Sequence, residues 1–114
     1  MHPTITRAEL EQAIAEGGAT VVEALPPMYF ADAHLPGAVN LPHDRVRELA
    51  PALLPDRDAA IVVYCANTPC QNSGIATREL IAMGYQDVRE YAEGKQDWVE
   101  AGLPVETGTH AAVA

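Results

Sequence analysis

Hydrophobic and polar positions along this chain fall into alternating strand-like and helix-like blocks. The plainest block is Ala59 to Tyr64, A-A-I-V-V-Y, apolar at every position and followed at once by Cys65. A strand without polar alternation is buried on both faces, as parallel strands are when helices cover them. Upstream, Thr6 and Glu9 have the spacing of a capping box, and Leu10, Ala13, Ile14 and Gly17 then share one helical stripe that Gly17-Gly18 ends. Thr4-Ile5 before it reads as a short edge strand. Thr20 to Leu25 reads as a second strand, closed by Pro26-Pro27, which cannot continue a ladder. Pro36-Gly37 marks a turn, Ala38 to Leu41 a short strand ended by Pro42, and His43 to Leu53 a weak helix interrupted by Pro51 and finished by Pro55.

After the buried strand, a helix opens near Ser73, with Ala76, Leu80 and Met83 on one face, Arg78 on its back and Gly84 as the stop. Asp87 to Tyr91 reads as a last strand and Lys95 to Ala101 as a last helix, ended by Gly102. Strands alternating with helices predict a three-layer α/β domain with a mainly parallel sheet. One domain over residues 1–107 is expected, with 108–114, which lack periodicity, as a disordered tail.

Composition narrows the chemistry. With 114 residues and 48% hydrophobic content, the chain can bury a core without disulfide or metal staples. A net charge of −9 argues against nucleic acid as a partner and slows the approach of small anions. No apolar run approaches membrane-spanning length, and the start M-H-P-T-I-T-R lacks a signal peptide's regions, so a cytoplasmic protein without a membrane partner is expected. Two cysteines in that compartment read as free thiols, and no second ligand pair gives them a metal-like spacing. Neither a metal nor a cofactor is expected.

Cys65 is the candidate reactive group. The last residue of a buried parallel strand sits at the carboxyl edge of the sheet, where open α/β folds place their ligands. Loop amides and the positive end of the next helix favour an anion there, which predicts a thiolate with a depressed pKa. The loop Ala66, Asn67, Thr68, Pro69, Cys70, Gln71, Asn72 and Ser73 would form the binding cradle, with Pro69 withdrawing one donor and Ser73 as the helix N-cap. Asn67, Thr68 and Asn72 offer hydrogen bonds to an oxyanion, or simply to water. As a buried residue, Cys65 could equally be a small core hydrophobe.

Three stretches together resemble one family, the rhodanese-like domains. A-H-L-P-G-A-V-N-L-P is similar to their G-H-I-P-G-A-I-N-I-P signature, and I-V-V-Y-C to their strand ending in the active cysteine. G-Y-Q-D-V-R-E-Y-A-E-G-K-Q-D-W-V-E-A-G-L-P-V-E resembles their closing G-Y-x-x-V-x-x-L-x-G-G-x-x-x-W-x-x-x-G-x-P-V. The match runs from about Thr4 to Glu106. The resemblance implies a five-stranded, mainly parallel sheet flanked by helices, and sulfur transfer through a persulfide on Cys65. His34 belongs to the signature and is expected to hold the Pro36-Gly37 turn, and Trp98 to serve as core.

This chain departs from the pattern in three places. Glu23-Ala24-Leu25 stands where the family has D-V-R, and Ala33 replaces the glycine before the signature histidine. The loop C-A-N-T-P-C-Q-N-S is longer by two residues than the family's C-x-x-G-x-R-S, lacks its arginine and adds Cys70. Positive charge at the site would then have to come from Arg45, Arg47, Arg78 or Lys95, while Glu23 would anchor nearby amides or repel an anion. Cys70 is open to three roles: resolving a persulfide, carrying the sulfur itself, or filling the longer loop. A related C-x5-R chemistry on phosphate or arsenate is disfavoured, because Gln71 stands where the clamping arginine would be.

The expected activity is therefore sulfane transfer from thiosulfate or a persulfide to a thiol or cyanide through Cys65. The expected partners are a small sulfur-containing substrate and a protein thiol acceptor. The alternative is a catalytically weak rhodanese-like module that binds a partner or senses redox state with a Cys65/Cys70 dithiol–disulfide pair.

Overall fold

The computed structural model describes residues 2–108. In chain order its elements are α1 (Arg7–Glu16), β1 (Thr20–Glu23), α2 (Pro27–Asp32), β2 (Val39–Asn40), α3 (Val46–Leu53), β3 (Ala60–Tyr64), α4 (Asn72–Ala82), β4 (Asp87–Tyr91) and α5 (Gly94–Glu100). All strand pairings are parallel, in the order β2-β1-β3-β4. The unbroken apolar run thus becomes a central strand, with paired neighbours on both edges and helices over both faces.

Strand alternation divides the core in two. Val22, Ile61, Val63 and Val88 pack with Val46 and Ala50 of α3 and Ala76 and Leu80 of α4. Val21, Val62, Tyr64 and Tyr91 point the other way, against Leu10 of α1, Phe30 of α2 and Trp98 of α5. The next positions on each strand follow the same rule, which sends Cys65 and Glu90 toward the α4 side.

Thr6 caps α1 as its spacing predicts: its side chain accepts from the Glu9 amide, and the Glu9 carboxylate accepts from the Thr6 amide. Thr6→Ala is expected to lower stability by about 1 kcal/mol, read as a lower urea midpoint with an unchanged slope. Trp98 is core, buried edge-on to Tyr91 with its Nε1 donating to the Pro104 carbonyl.

Several boundaries move. Among the described residues four strands form rather than five, because the Thr4-Ile5 strand is reduced to one bridge, Thr4 to Glu90. Pro3 has no N–H to extend that ladder, and Thr6 already caps a helix. Strand β1 stops at Glu23, and Pro26-Pro27 begins helix α2, which hydrophobic patterning alone did not reveal. Proline at the first helical position loses no hydrogen bond, so the pair that closes a strand also opens a helix. Helix α3 starts at Val46 and contains Pro51. Of the tail expected over 108–114, residues 109–114 lie outside the described residues, while the Gly108 amide donates to the Ala31 carbonyl. Among the described residues, no helix is long and apolar enough to cross a membrane.

Candidate active site

The connection leaving β1 runs to one side of the sheet, to β2, and the one leaving β3 runs to the other, to β4. Open parallel sheets bind ligands at such a switch point, at the carboxyl ends of the strands. Cys65 stands there, directly after β3 and beside Glu23, which pairs with Tyr64 in the last rung.

The loop after Cys65 is clamped from below by α5. Its first amides, Lys95 and Gln96, donate to the carbonyls of Cys65 and Ala66 (2.8 and 2.9 Å). Gly94, at φ +77°, allows this approach: a Cβ there would lie 2.7 Å from the Cys65 oxygen and 2.8 Å from the Asn67 nitrogen. The Cys70 amide donates to the Asn67 carbonyl, closing a turn over Thr68-Pro69. Helix α4 then begins at Asn72.

Cys65 itself differs from the expected open thiolate. The residue is 1% exposed. Its Sγ lies 3.3 Å from Ser73 Oγ and 3.5 Å from the Cys70 carbonyl, both placed to accept the thiol hydrogen. Burial pushes the thiol above its ordinary value, the contact with Cys70 adds to the rise, and the Ser73 backbone amide acts against it. The expected depression is therefore overturned: loss of water outweighs the local amides. Cys70 is half-buried, and both cysteines are free thiols.

Ser73 is likewise not the N-cap. The helix begins two residues earlier than such a cap would place it, Gln71 occupies the cap position without a side-chain bond, and Ser73 is fully buried. Its hydroxyl hydrogen goes to Glu90 Oε2 (2.5 Å), and Glu90 Oε1 in turn meets His2 Nε2 (2.5 Å). Pattern reading missed Glu90 and His2. The available signal was that Glu90 shares a strand face with Val88, so its carboxylate had to lie under α4.

The basic residues do not converge on the thiol. Arg45 bonds Glu48, Arg47 bonds Glu79, and exposed Arg78 flanks Gly74 near Glu90. Lys95 Nζ donates to Glu23 Oε1 (3.1 Å) and to the carbonyls of Tyr29 and Ala33 that end α2. Among the described residues, no backbone amide donates to the Glu23 carboxylate. Fully buried, it receives the Tyr64 hydroxyl (2.6 Å) and Lys95, and burial still pushes its carboxyl above the ordinary range. His34 is structural: its Nδ1 meets the Phe30 carbonyl (2.7 Å) and its ring stacks on Phe30. The Gly37 amide is held by Glu106, not by His34.

Two open clefts, of about 520 and 230 Å³, lie on the outer side of the loop. Asn67 lines both, and Thr68 and Pro69 line the smaller one; Cys65 lines neither. Asp32, Glu93, Asp97 and Glu100 bring carboxylates to these walls, while the one lysine there is committed to Glu23.

A family model described as rhodanese-like domain matches residues 6–101. An HTH-type transcriptional regulator of Mycobacterium tuberculosis is 36% identical over 104 residues, which cover 91% of this chain and 45% of that protein. The thiosulfate sulfurtransferase GlpE of Pseudomonas fluorescens is 31% identical over 99 residues, 87% of this chain and 86% of that one. The crystal structure of a thiosulfate sulfurtransferase from Pseudomonas aeruginosa superposes with a TM-score of 0.83 at 26% identity, covering 94% of this chain and 20% of that one. The chain spans about half the length of the curated relatives it matches first, 45% and 54%.

Proposed function

This chain belongs to the rhodanese-like domain family, and from that premise we propose that it is a sulfurtransferase carrying sulfane sulfur on Cys65. The supporting observation is the placement of Cys65 at the switch point of the sheet, on a loop clamped by α5. The Cys65 sulfur attacks the outer sulfur of the donor. The donor's sulfur–sulfur bond breaks and its electron pair leaves with sulfite or a thiolate. The thiol proton passes to solvent or to that thiolate, leaving Cys65–S–S⁻. A thiol, small or on a protein, or cyanide then takes the outer sulfur and returns Cys65 as a thiolate.

Because the resting thiol is buried, donor entry requires displacement of the 66–71 loop, whose outer walls are open clefts. The acidic lining and the committed lysine disfavour a small dianion, so a persulfide is the preferred donor over thiosulfate. Sulfur transfer to cyanide is expected with a persulfide donor, with kcat/KM for thiosulfate lower. Cys65→Ser is expected to remove at least about a hundredfold of that rate, since a hydroxyl is a far weaker nucleophile at neutral pH. Full activity in Cys65→Ser would reject the assignment.

A second reading is favoured by the contact of Cys65 Sγ with the Cys70 backbone carbonyl, which keeps the two cysteines adjacent, and by the regulator among the relatives. In it a peroxide takes up two electrons and both thiol hydrogens and leaves as water or alcohol, the two thiols form a disulfide, and the domain reports redox state. It requires oxidation to remove two hydrogens from the chain, dependent on both cysteines, with no sulfur gained.

A further inference from the structure

We propose that Glu90 sets the ionisation of Cys65 through the direction of the Ser73 hydroxyl hydrogen. A hydroxyl has one hydrogen to give, and a carboxylate can only accept. At 2.5 Å from Glu90 Oε2, the Ser73 hydrogen is spent on Glu90. Ser73 Oγ therefore presents only lone pairs to Cys65 Sγ, 3.3 Å away, and accepts the thiol hydrogen. A hydroxyl stabilises a neighbouring thiolate only by donating to it, so the ionised Glu90 holds Cys65 in its protonated form.

Reaching the thiolate along this chain takes two hydrogen shifts. The thiol hydrogen moves to Ser73 Oγ, and the hydrogen already on Ser73 moves to Glu90 Oε2. Both hydrogen bonds survive with reversed direction: Glu90 becomes a neutral acid donating to Ser73, and Ser73 donates to the new thiolate. Carboxylic acids are stronger acids than thiols, so this transfer is uphill and the thiol is the resting state. Glu90 is a positioning residue, touching the reacting sulfur only through Ser73.

Among the described residues, few charged or titratable groups face Glu90. His2 meets Oε1 from the N-terminal segment, and the side chains of His2 and Glu90 are 12% and 13% exposed. Arg78 approaches from α4 across Gly74, and Cys65 and Cys70 lie behind Ser73. Arg89 points to the opposite strand face, near Asp87. The bearing of Glu90 on catalysis rests on the reading of Cys65 as the sulfur carrier.

The test is the pH dependence of Cys65 alkylation by iodoacetamide, followed on the full chain by site-resolved mass spectrometry. Glu90→Gln can donate its amide hydrogen to Ser73 Oγ and free the hydroxyl for the thiolate. The midpoint is expected to fall by about one unit, raising alkylation below the midpoint about tenfold. In the Ser73→Ala background the same substitution is expected to change nothing. Glu90→Asp keeps the charge but withdraws it from Ser73, and its midpoint is also expected to fall. An unmoved or raised midpoint in Glu90→Gln, an equal fall without Ser73, or a wild-type midpoint in Glu90→Asp each overturns the proposal. Alkylation needs no sulfur donor. Shifted midpoints in a chain that takes up no sulfur would sink the sulfurtransferase reading and uphold this one; sulfur uptake with unmoved midpoints would do the reverse.

Discussion

Gly94→Ala is expected to cost about 2–5 kcal/mol of stability and to displace the Cys65 loop. The backbone there is at φ +77°, a left-handed conformation that costs an L side chain roughly 1–2 kcal/mol. The new Cβ would also sit 2.7 Å from the Cys65 oxygen, 2.8 Å from the Asn67 nitrogen and 2.9 Å from the Ala66 carbonyl carbon. All three are backbone atoms that no rotamer change can move, and overpacking of that kind typically adds about 1–3 kcal/mol. Relief requires α5 to retreat, which breaks the Lys95 and Gln96 amide bonds to the loop. Gly37, at φ +74° with nothing within 4 Å of its virtual Cβ, is the control: Gly37→Ala should show the backbone strain alone. Urea unfolding of both variants checks this, and equal losses would mean that the close approach at Gly94 is unimportant.

Lys95→Met should be the most damaging substitution on the other side of the site. The Lys95 ammonium, 15% exposed, pairs with the fully buried Glu23 carboxylate and also ends α2 by binding two of its carbonyls. Removing one partner of a buried pair leaves an uncompensated charge and typically costs about 3–5 kcal/mol. Burial raises the Glu23 carboxyl, against the pull of Tyr64 and Lys95, so losing Lys95 lets it rise further. An acid raised above its unfolded value favours the folded state below the unfolded value, near 4.3, and loses that contribution as pH climbs through the folded value. The deficit of Lys95→Met relative to wild type should therefore be larger at about pH 7 than at about pH 3, where the orphaned acid is largely neutral in both states. Urea midpoints of the two proteins at both values measure it, and a pH-independent deficit would contradict the buried-charge explanation.

Much of this molecule was legible from residue pattern. The unbroken run Ala59–Tyr64 could only be a central parallel strand, and that fact alone puts Cys65 at the carboxyl edge. Thr6 with Glu9 gave the start of α1 because a capping box is local. Where two local rules compete, pattern failed: Pro26-Pro27 ends β1 and also begins α2, and Thr4-Ile5 has strand character but sits between Pro3 and a helix cap. Properties set across the fold were harder still. The pKa direction of Cys65 depends on how completely the loop and α4 exclude water, which no spacing reports. Ser73 looks like an N-cap by type, yet a helix starting two residues earlier turns it inward to a carboxylate far along the chain. Glu23, in place of a shorter acid, fits because Tyr64 and Lys95 close over it, partners visible only once β1, β3 and α5 are assembled.

Intact mass after incubation with a persulfide donor, with fragmentation to locate any added atom, tests the role of Cys65 most directly. The expected result is a gain of one sulfur borne by residue 65, retained in Cys70→Ser and absent from Cys65→Ser. A chain that gains no sulfur, or that carries it on Cys70 when Cys65 is replaced by serine, would contradict it.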